Sequence, residues 1–265
     1  MPRSGSTVHY QLTKEIVESN NVGKGLGWVE PEQFPKLQSN FMNDNRFLVI
    51  KCHSYINGAQ DLVSRGEAKA IYVYRDLRDV IVSIMNKNKT SFRHVMQSGF
   101  IHSILQEYDN WNKLNDIFVA KYENMIKDLA QETLKIAKYI GVDLDKSSAV
   151  KIAGKYTIEQ QVKRIQSFDY NTYGVRAGKN NYDPDFLLHD NHIFSGNTKQ
   201  WITMLSPFEI GLIEDIAYGW LVEKDYHIKQ TWIIRKIAVL SYGLINFYHP
   251  LGYYFKRIVG RLMKR

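Results

Sequence analysis

Apolar residues recur along this chain in two rhythms, and the switches between them mark out its elements. Val8, Leu12 and Ile16 follow helical spacing directly after Pro2-Arg3-Ser4-Gly5-Ser6-Thr7. Phe47-Leu48-Val49-Ile50-Lys51 and Ala70-Ile71-Tyr72-Val73-Tyr74 are short apolar runs that suit buried parallel strands, with a helix at 60–64 between them. Helical spacing returns from Asp76 to Met85 and from Phe100 to Leu114, and a third strand is predicted at Ile117-Phe118-Val119-Ala120. Met125, Leu129, Ile136 and Ile140 predict one helix, capped by Asn124 and stopped by Gly141. Ser206-Pro207-Phe208-Glu209 is a capping box that opens a helix continued by Ile210, Ile213, Ile216, Ala217 and Leu221. Two stretches show no period: 20–45 reads as loop with short helical pieces, and 168–200 as a lid or binding segment or, equally, as plain disorder. Alternating strands and helices predict an α/β fold, a parallel sheet covered by helices on both faces.

Composition narrows the picture. With 265 residues, 44% of them hydrophobic, the chain suits one large α/β domain or at most two small ones. The single cysteine, Cys52, excludes an intramolecular disulfide and a cysteine-ligated zinc, and fits a reducing compartment. No run reaches the roughly 18 apolar residues of a membrane span, and no signal-peptide pattern is visible, so a soluble, cytoplasmic protein is expected. A net charge of +8 points to an anionic partner: a nucleotide, a nucleic acid or an acidic membrane surface. Composition shifts near residue 230, which predicts a principal domain over 1–230 and a basic, aromatic helical tail over 231–265. In that tail a largely apolar Ile237 to Phe247 is flanked by Arg235, Lys236, Lys256, Arg257, Arg261, Lys264 and Arg265. Two readings of the tail stay open, peripheral contact with a membrane interface and packing onto the domain.

The candidate chemistry begins in the first loop. Gly5 lets backbone approach an anion, Ser4, Ser6 and Thr7 offer hydroxyls and amides, Arg3 offers a charged fork, and the following helix points its positive end at the same place. This phosphate cradle lacks the Gly-x-x-x-x-Gly-Lys-Ser/Thr spacing of nucleoside triphosphate loops, and alone it reads equally as a helix cap. Tyr74-Arg75-Asp76-Leu77-Arg78-Asp79 ends a strand and opens a helix, so Arg75 and Ser83 can meet at one anion beyond the strand's carboxyl end. Lys51-Cys52-His53 places a cation and an imidazole on the same rim, and Tyr122 follows the third strand, where an aromatic could contact a base. Taken singly, these are also an ordinary strand-to-helix turn, a surface lysine with a satisfied histidine, and a core tyrosine.

In this combination and order the motifs resemble the sulfotransferases that use 3'-phosphoadenosine 5'-phosphosulfate (PAPS), from Pro2 to about Tyr226. The resemblance implies a three-layer, P-loop NTPase-like sulfotransferase fold. Arg3, Ser4, Gly5, Ser6 and Thr7 would bind the 5'-phosphosulfate, Arg75 and Ser83 the 3'-phosphate, and Tyr122 the adenine. Lys51 and His53 fall on the family's Lys-x-His segment. Its later phosphate-closing segment is echoed in Ser195-Gly196 and Lys199-Gln200-Trp201, which makes Ser195 and Lys199 candidates and leaves Trp201 equally open to core packing. Val8 stands where the family often carries an aromatic. The implied reaction is metal-free, in-line sulfuryl transfer to a hydroxyl or amine, with a glycan or lipid among the candidate acceptors. His53 would be a base titrating near neutrality, and Arg3 and Lys51 would stabilise the developing charge. The family's strand leading into the loop belongs near the middle of the sheet, yet only Met1 precedes the loop, so the first strand is expected to be truncated. A P-loop nucleotide kinase or hydrolase would need a lysine in the first loop and acidic magnesium ligands. A nucleic-acid-binding module would need base-stacking motifs or zinc spacing, so no nucleic-acid partner is expected. The acceptor and the oligomeric state are written in no motif.

Overall fold

The computed structural model describes residues 1–167, 182–191 and 196–243. Helix α1 (Ser6–Ser19) leads into a strand, β1 (Gly23–Trp28), where the glycine-rich sequence predicted loop. A Cβ on Gly23 would collide with the Phe47 carbonyl, and one on Gly25 would lie 2.7 Å from the Tyr10 hydroxyl, so these glycines permit close approach rather than a turn. After a 3-10 turn at Pro31–Gln33 come α2 (Phe34–Asn40), β2 (Phe47–Lys51), α3 (Ala59–Ser64), β3 (Ala70–Tyr74) and α4 (Leu77–Asn88). Then α5 (Phe92–Gln97), α6 (Phe100–Asn112), β4 (Ile117–Lys121), α7 (Tyr122–Met125) and α8 (Leu129–Ile140) follow. The described remainder comprises α9 (Lys146–Gly154), α10 (Ile158–Gln166), a hairpin of β5 (Tyr182–Asp183) and β6 (Leu188–His189), α11 (Trp201–Met204), α12 (Pro207–Ile216), α13 (Tyr218–Glu223) and a helical stretch over 232–243.

β1 pairs in parallel with β2, and β3 in parallel with β4, in register from Ala70 opposite Ile117 to Tyr74 opposite Lys121. β2 and β3 do not pair with each other. A cavity of about 840 Å³ lies between them, lined by every residue of β2, by Ala70 to Val73 of β3 and by Met1. The parallel α/β architecture is therefore present, with an opening where the central strand was expected. Leu48, Val49 and Ile50 are consequently only half-buried, unlike strands covered on both faces and both edges.

The largest apolar core gathers Tyr72, Leu77, Ile81, Ile101, Tyr108, Ile213 and Leu221 around α4, and a second joins Leu12 and Ile16 of α1 to Ile136 of α8 and Ile152 of α9. Ala238 belongs to the first core, so the helix over 232–243 packs on the domain through one face. Ile233, Ile237 and Leu240 stay exposed at helical spacing on another. Among the described residues no helix is long and apolar enough to cross a membrane.

Two predicted helices are each divided. Asn124 lies inside α7 and caps nothing, whereas the Asp128 carboxylate accepts from Gln131 N and starts α8; Gly141, at φ +78, ends it as expected. The capping box at Ser206 and Glu209 forms as predicted, but the helix breaks at Ala217 before α13. Of the predicted lid, 168–181 and 192–195 lie outside the described residues.

Candidate active site

The first loop is held from below. Ser4 Oγ, fully buried, lies 2.5 Å from Met1 O and 2.8 Å from Val73 O, which ties the loop to β3. Gly5 caps α1 at φ +84, and a Cβ there would approach Met125 Cε to 2.7 Å and Tyr122 Cδ2 to 2.9 Å, so only glycine lets the loop lie on α7. Arg3 Nε donates to Ser83 Oγ at 2.9 Å, joining the loop to α4, and Lys51 Nζ donates to Thr7 Oγ1 at 2.5 Å, joining it to β2.

The second sequence motif reaches the same place. Arg75 Nη2 donates to Asn197 O at 2.7 Å and lies 3.6 Å from Asp79 Oδ2, while Nη1 reaches Arg3 O at 3.5 Å. Its guanidinium sits 4.4 Å from the Tyr122 ring centroid, and the Tyr122 hydroxyl donates to Gly196 O at 2.7 Å. Asp79 accepts from the backbone N–H of Lys199 at 2.7 Å and of Trp201 at 3.3 Å. Segments 3–7, 51–53, 75–83, 122 and 196–201 thus converge, although four of them were separate motifs in the sequence. Ser195 lies outside the described residues. Trp201 is a buried core residue, 3.8 Å beneath the Arg78 guanidinium, which decides between its two readings. Arg78 itself faces inward, between the Asp76 and Glu214 carboxylates and His227 O, and so serves the scaffold.

Electrostatically, this is a crowd of cations. Burial, then Lys87 and Arg3, pull the Lys51 ammonium down to about 7. Burial and then Arg75 lower Arg3 to about 10, and burial and then Arg3 lower Lys87. The amino-terminal ammonium falls to about 5 through burial and the charge on Lys51. Buried cations that depress one another are relieved by a multiply charged anion. Lys87 was not singled out from the sequence, but its place four residues after Ser83 puts both on one face of α4.

His53 corrects the expectation of a base near neutrality. Burial, then repulsion from Lys51 and the terminal amine, push its imidazole down to about 2, so it is neutral throughout the physiological range. The ring meets Trp28 edge-on, with centroids 4.7 Å apart, and its buried Nε2 has no hydrogen-bond partner. Trp28 belongs to β1, the strand that carried no sequence signal. Among the described residues no three His, Cys, Asp or Glu side chains gather as metal ligands.

Residues 1–187 match the sulfotransferase domain family. An amine sulfotransferase of Oryctolagus cuniculus is 25% identical over 192 residues, which span 64% of this chain and 63% of that protein, less than two thirds of its length. A mouse sulfotransferase complexed with PAP shares the fold with a TM-score of 0.59 at 17% identity, over 84% of this chain and 82% of the other. Retinol dehydratase in complex with retinol and PAP gives 0.54 at 17% identity, over 87% and 81%. The domain match extends over more than half of the chain and includes each described element that forms the cationic rim up to Tyr122, and on that ground the chain belongs to the sulfotransferase family.

Proposed function

We propose that this chain transfers a sulfuryl group from PAPS to a hydroxyl or amine acceptor. The observation that carries the reading is the meeting of Arg3, Lys51, Lys87 and Arg75 around the glycine-led start of α1, with Asp79 3.6 Å from Arg75. PAPS supplies the activated group, its sulfur–oxygen bond to the 5'-phosphate breaking as a bond from the acceptor atom to sulfur forms. The amides of Gly5, Ser6 and Thr7 and the positive end of α1 suit the 5' anion. Arg3 and Lys51 face the charge that grows on the 5'-phosphate side, where preorganised cations lower a barrier most. Arg75, Ser83 and Lys199 suit the 3'-phosphate. Tyr122 supports Gly5 and Arg75 from beneath and brings an aromatic ring to the nucleotide end. His53 Nε2, unpartnered in the free protein, takes the acceptor's proton once the bound polyanion offsets the Lys51, Lys87 and Arg3 charges that depress it.

Calorimetry with PAP, the desulfonated product, and with ATP, followed by transfer from labelled PAPS to pooled hydroxyl and amine acceptors, tests this reading. PAP binding without ATP binding and labelled product are expected. Absence of both binding and transfer would remove it.

A membrane-borne glycan or lipid is the acceptor class that the tail supports. Trp232, Ile233, Ile237 and Leu240 are exposed, and Lys256, Arg257, Arg261, Lys264 and Arg265 follow in sequence, a combination suited to an anionic bilayer surface. The full chain is expected to co-sediment with phosphatidylserine vesicles more strongly than a 1–230 form, and equal binding sinks the idea.

A further inference from the structure

The helix over 232–243 lies beyond the residues matched to the family, yet its start is tied to the motif that carries Arg75. Glu214 of α12, fully buried, makes the tie. Its Oε1 accepts from Arg78 Nη1 and from Lys229 N, the latter at 2.9 Å, and its Oε2 accepts from Gln230 N at 2.8 Å. Arg78, also buried, donates through the same Nη1 to His227 O at 2.8 Å, so α12 and residues 227–230 hold one guanidinium between them. The helix itself is seated by close approach. A Cβ on Gly211 of α12 would lie 3.5 Å from Ala238 Cβ, Arg235 Cα and Ile234 Cγ2, and Lys236 Nζ lies 2.9 Å from Asp215 Oδ1.

The other side of Arg78 faces the anion-binding end. Its Nε and Nη2 donate to the two oxygens of Asp76, whose Oδ1 also accepts from Arg78 N and so caps α4. The guanidinium lies 3.8 Å from the centroid of the Trp201 ring. Asp79 in turn accepts from the N–H groups of Trp201 and Lys199 and lies 3.6 Å from Arg75 Nη2. A guanidinium only donates and a carboxylate only accepts, so a buried pair is satisfied only while all its partners stay in place. Withdrawing residues 227–230 strips two N–H donors from Glu214 and one acceptor from Arg78. The stripped pair turns toward water, and Asp76 and Trp201 lose their fixed neighbour.

We propose that Glu214 is a positioning residue for the nucleotide site and that, through it, the seating of helix 232–243 is coupled to the placing of Arg75. The helix is then a working part of the nucleotide-binding unit rather than a separate tail. Coupling of this kind is reciprocal, so the nucleotide must steady the helix to the extent that the helix favours the nucleotide. That a nucleotide binds at Arg75 rests on the sulfotransferase reading; the mechanical link from residues 227–230 to Arg78, Lys199 and Trp201 does not.

Gly211→Leu in the full chain wedges the helix away from α12 without touching the nucleotide end. Hydrogen exchange should quicken at the amides of Lys229 and Gln230 and, through the coupling, at those of Arg78, Lys199 and Trp201. PAP affinity, read by calorimetry, should fall about tenfold, an ordinary coupling factor, and in transfer assays KM for PAPS should rise in step while kcat at saturation stays within about twofold. Glu214→Gln should cause a loss of similar size, and adding Gly211→Leu to it should cost little more, because the link is already cut. In the unmodified chain PAP should slow exchange at Lys229 and Gln230, a measurement that needs no variant to fold. Quickening confined to Lys229 and Gln230 overturns the proposal, as do additive losses in the double variant and a fall in kcat with KM unchanged. So does bound PAP that leaves exchange at those two amides unaltered. If PAP does not bind the unmodified chain, the sulfotransferase reading falls, while exchange at Arg78, Lys199 and Trp201 in Gly211→Leu still decides the link.

Discussion

Lys51 offers a demanding test of the cationic rim, because its charge is conditional. The perturbation is PAP binding at pH 8, where both phosphates are fully ionised, their second pKa being about 6. With the ammonium at about 7 in the free protein, roughly nine in ten Lys51 side chains are neutral at that pH. A bound polyanion favours the charged form and draws the pKa back toward the ordinary 10.5. Binding should therefore take up close to one proton. The bound state holds more protons, so affinity is greatest below pH 7 and falls about tenfold per unit as pH rises from there toward the bound pKa. Calorimetry at pH 8 in Tris and in HEPES reads the uptake as a difference in apparent enthalpy. Lys51→Met should abolish it and weaken PAP binding. The same substitution should stabilise the free protein at neutral pH, since a drop from 10.5 to about 7 corresponds to roughly 5 kcal/mol. Lost bonding to Thr7 offsets part of that gain. The destabilisation by native Lys51 is greatest below pH 7 and fades as pH rises toward the unfolded value. Identical enthalpies in the two buffers, or uptake that survives in Lys51→Met, would refute the reasoning.

His53→Ala should lower kcat by about 10² to 10³, or ~2.7 to 4 kcal/mol, with PAP affinity unchanged; near wild-type turnover would remove the base assignment. Because its imidazole lies at about 2 in the free protein, kcat/KM should show no acid limb from His53 between pH 5 and 8, and a limb there that vanishes in His53→Ala contradicts this. Gly5→Ala forces a side chain into φ +84 and against Met125 and Tyr122, so a loss of ~1 to 3 kcal/mol in urea unfolding and weaker PAP binding are expected; unchanged values for both would show that the loop can move aside. Arg78→Ala leaves Asp76 and Glu214 buried without their shared cation and should cost ~3 to 5 kcal/mol, read from the urea midpoint, and a shift under about 1 kcal/mol would deny Arg78 its scaffold role.

What the sequence determined by itself is what short-range physics controls. The apolar runs of β2, β3 and β4, the cap reading of the loop before α1 and the box at Ser206 all depend on neighbours a few residues away, and each was legible. That Arg3 to Thr7, Lys51, His53, Arg75, Ser83 and Tyr122 would share one rim was also legible, because strand ends and helix starts bring such groups together, while the roles expected of them came from the family resemblance. Tertiary structure alone decided the remainder. β1 was hidden by glycines whose reason is the proximity of Phe47 and Tyr10, residues distant in sequence. Arg75 and Arg78 read alike in one motif, yet one faces the loop and the other a buried carboxylate pair, since Glu214 arrives from α12. Lys87 joins the site, and His53 loses its proton, through burial and through cations brought in by other elements. Local pattern specifies which groups can reach a rim; the charge they carry there depends on every element packed around them.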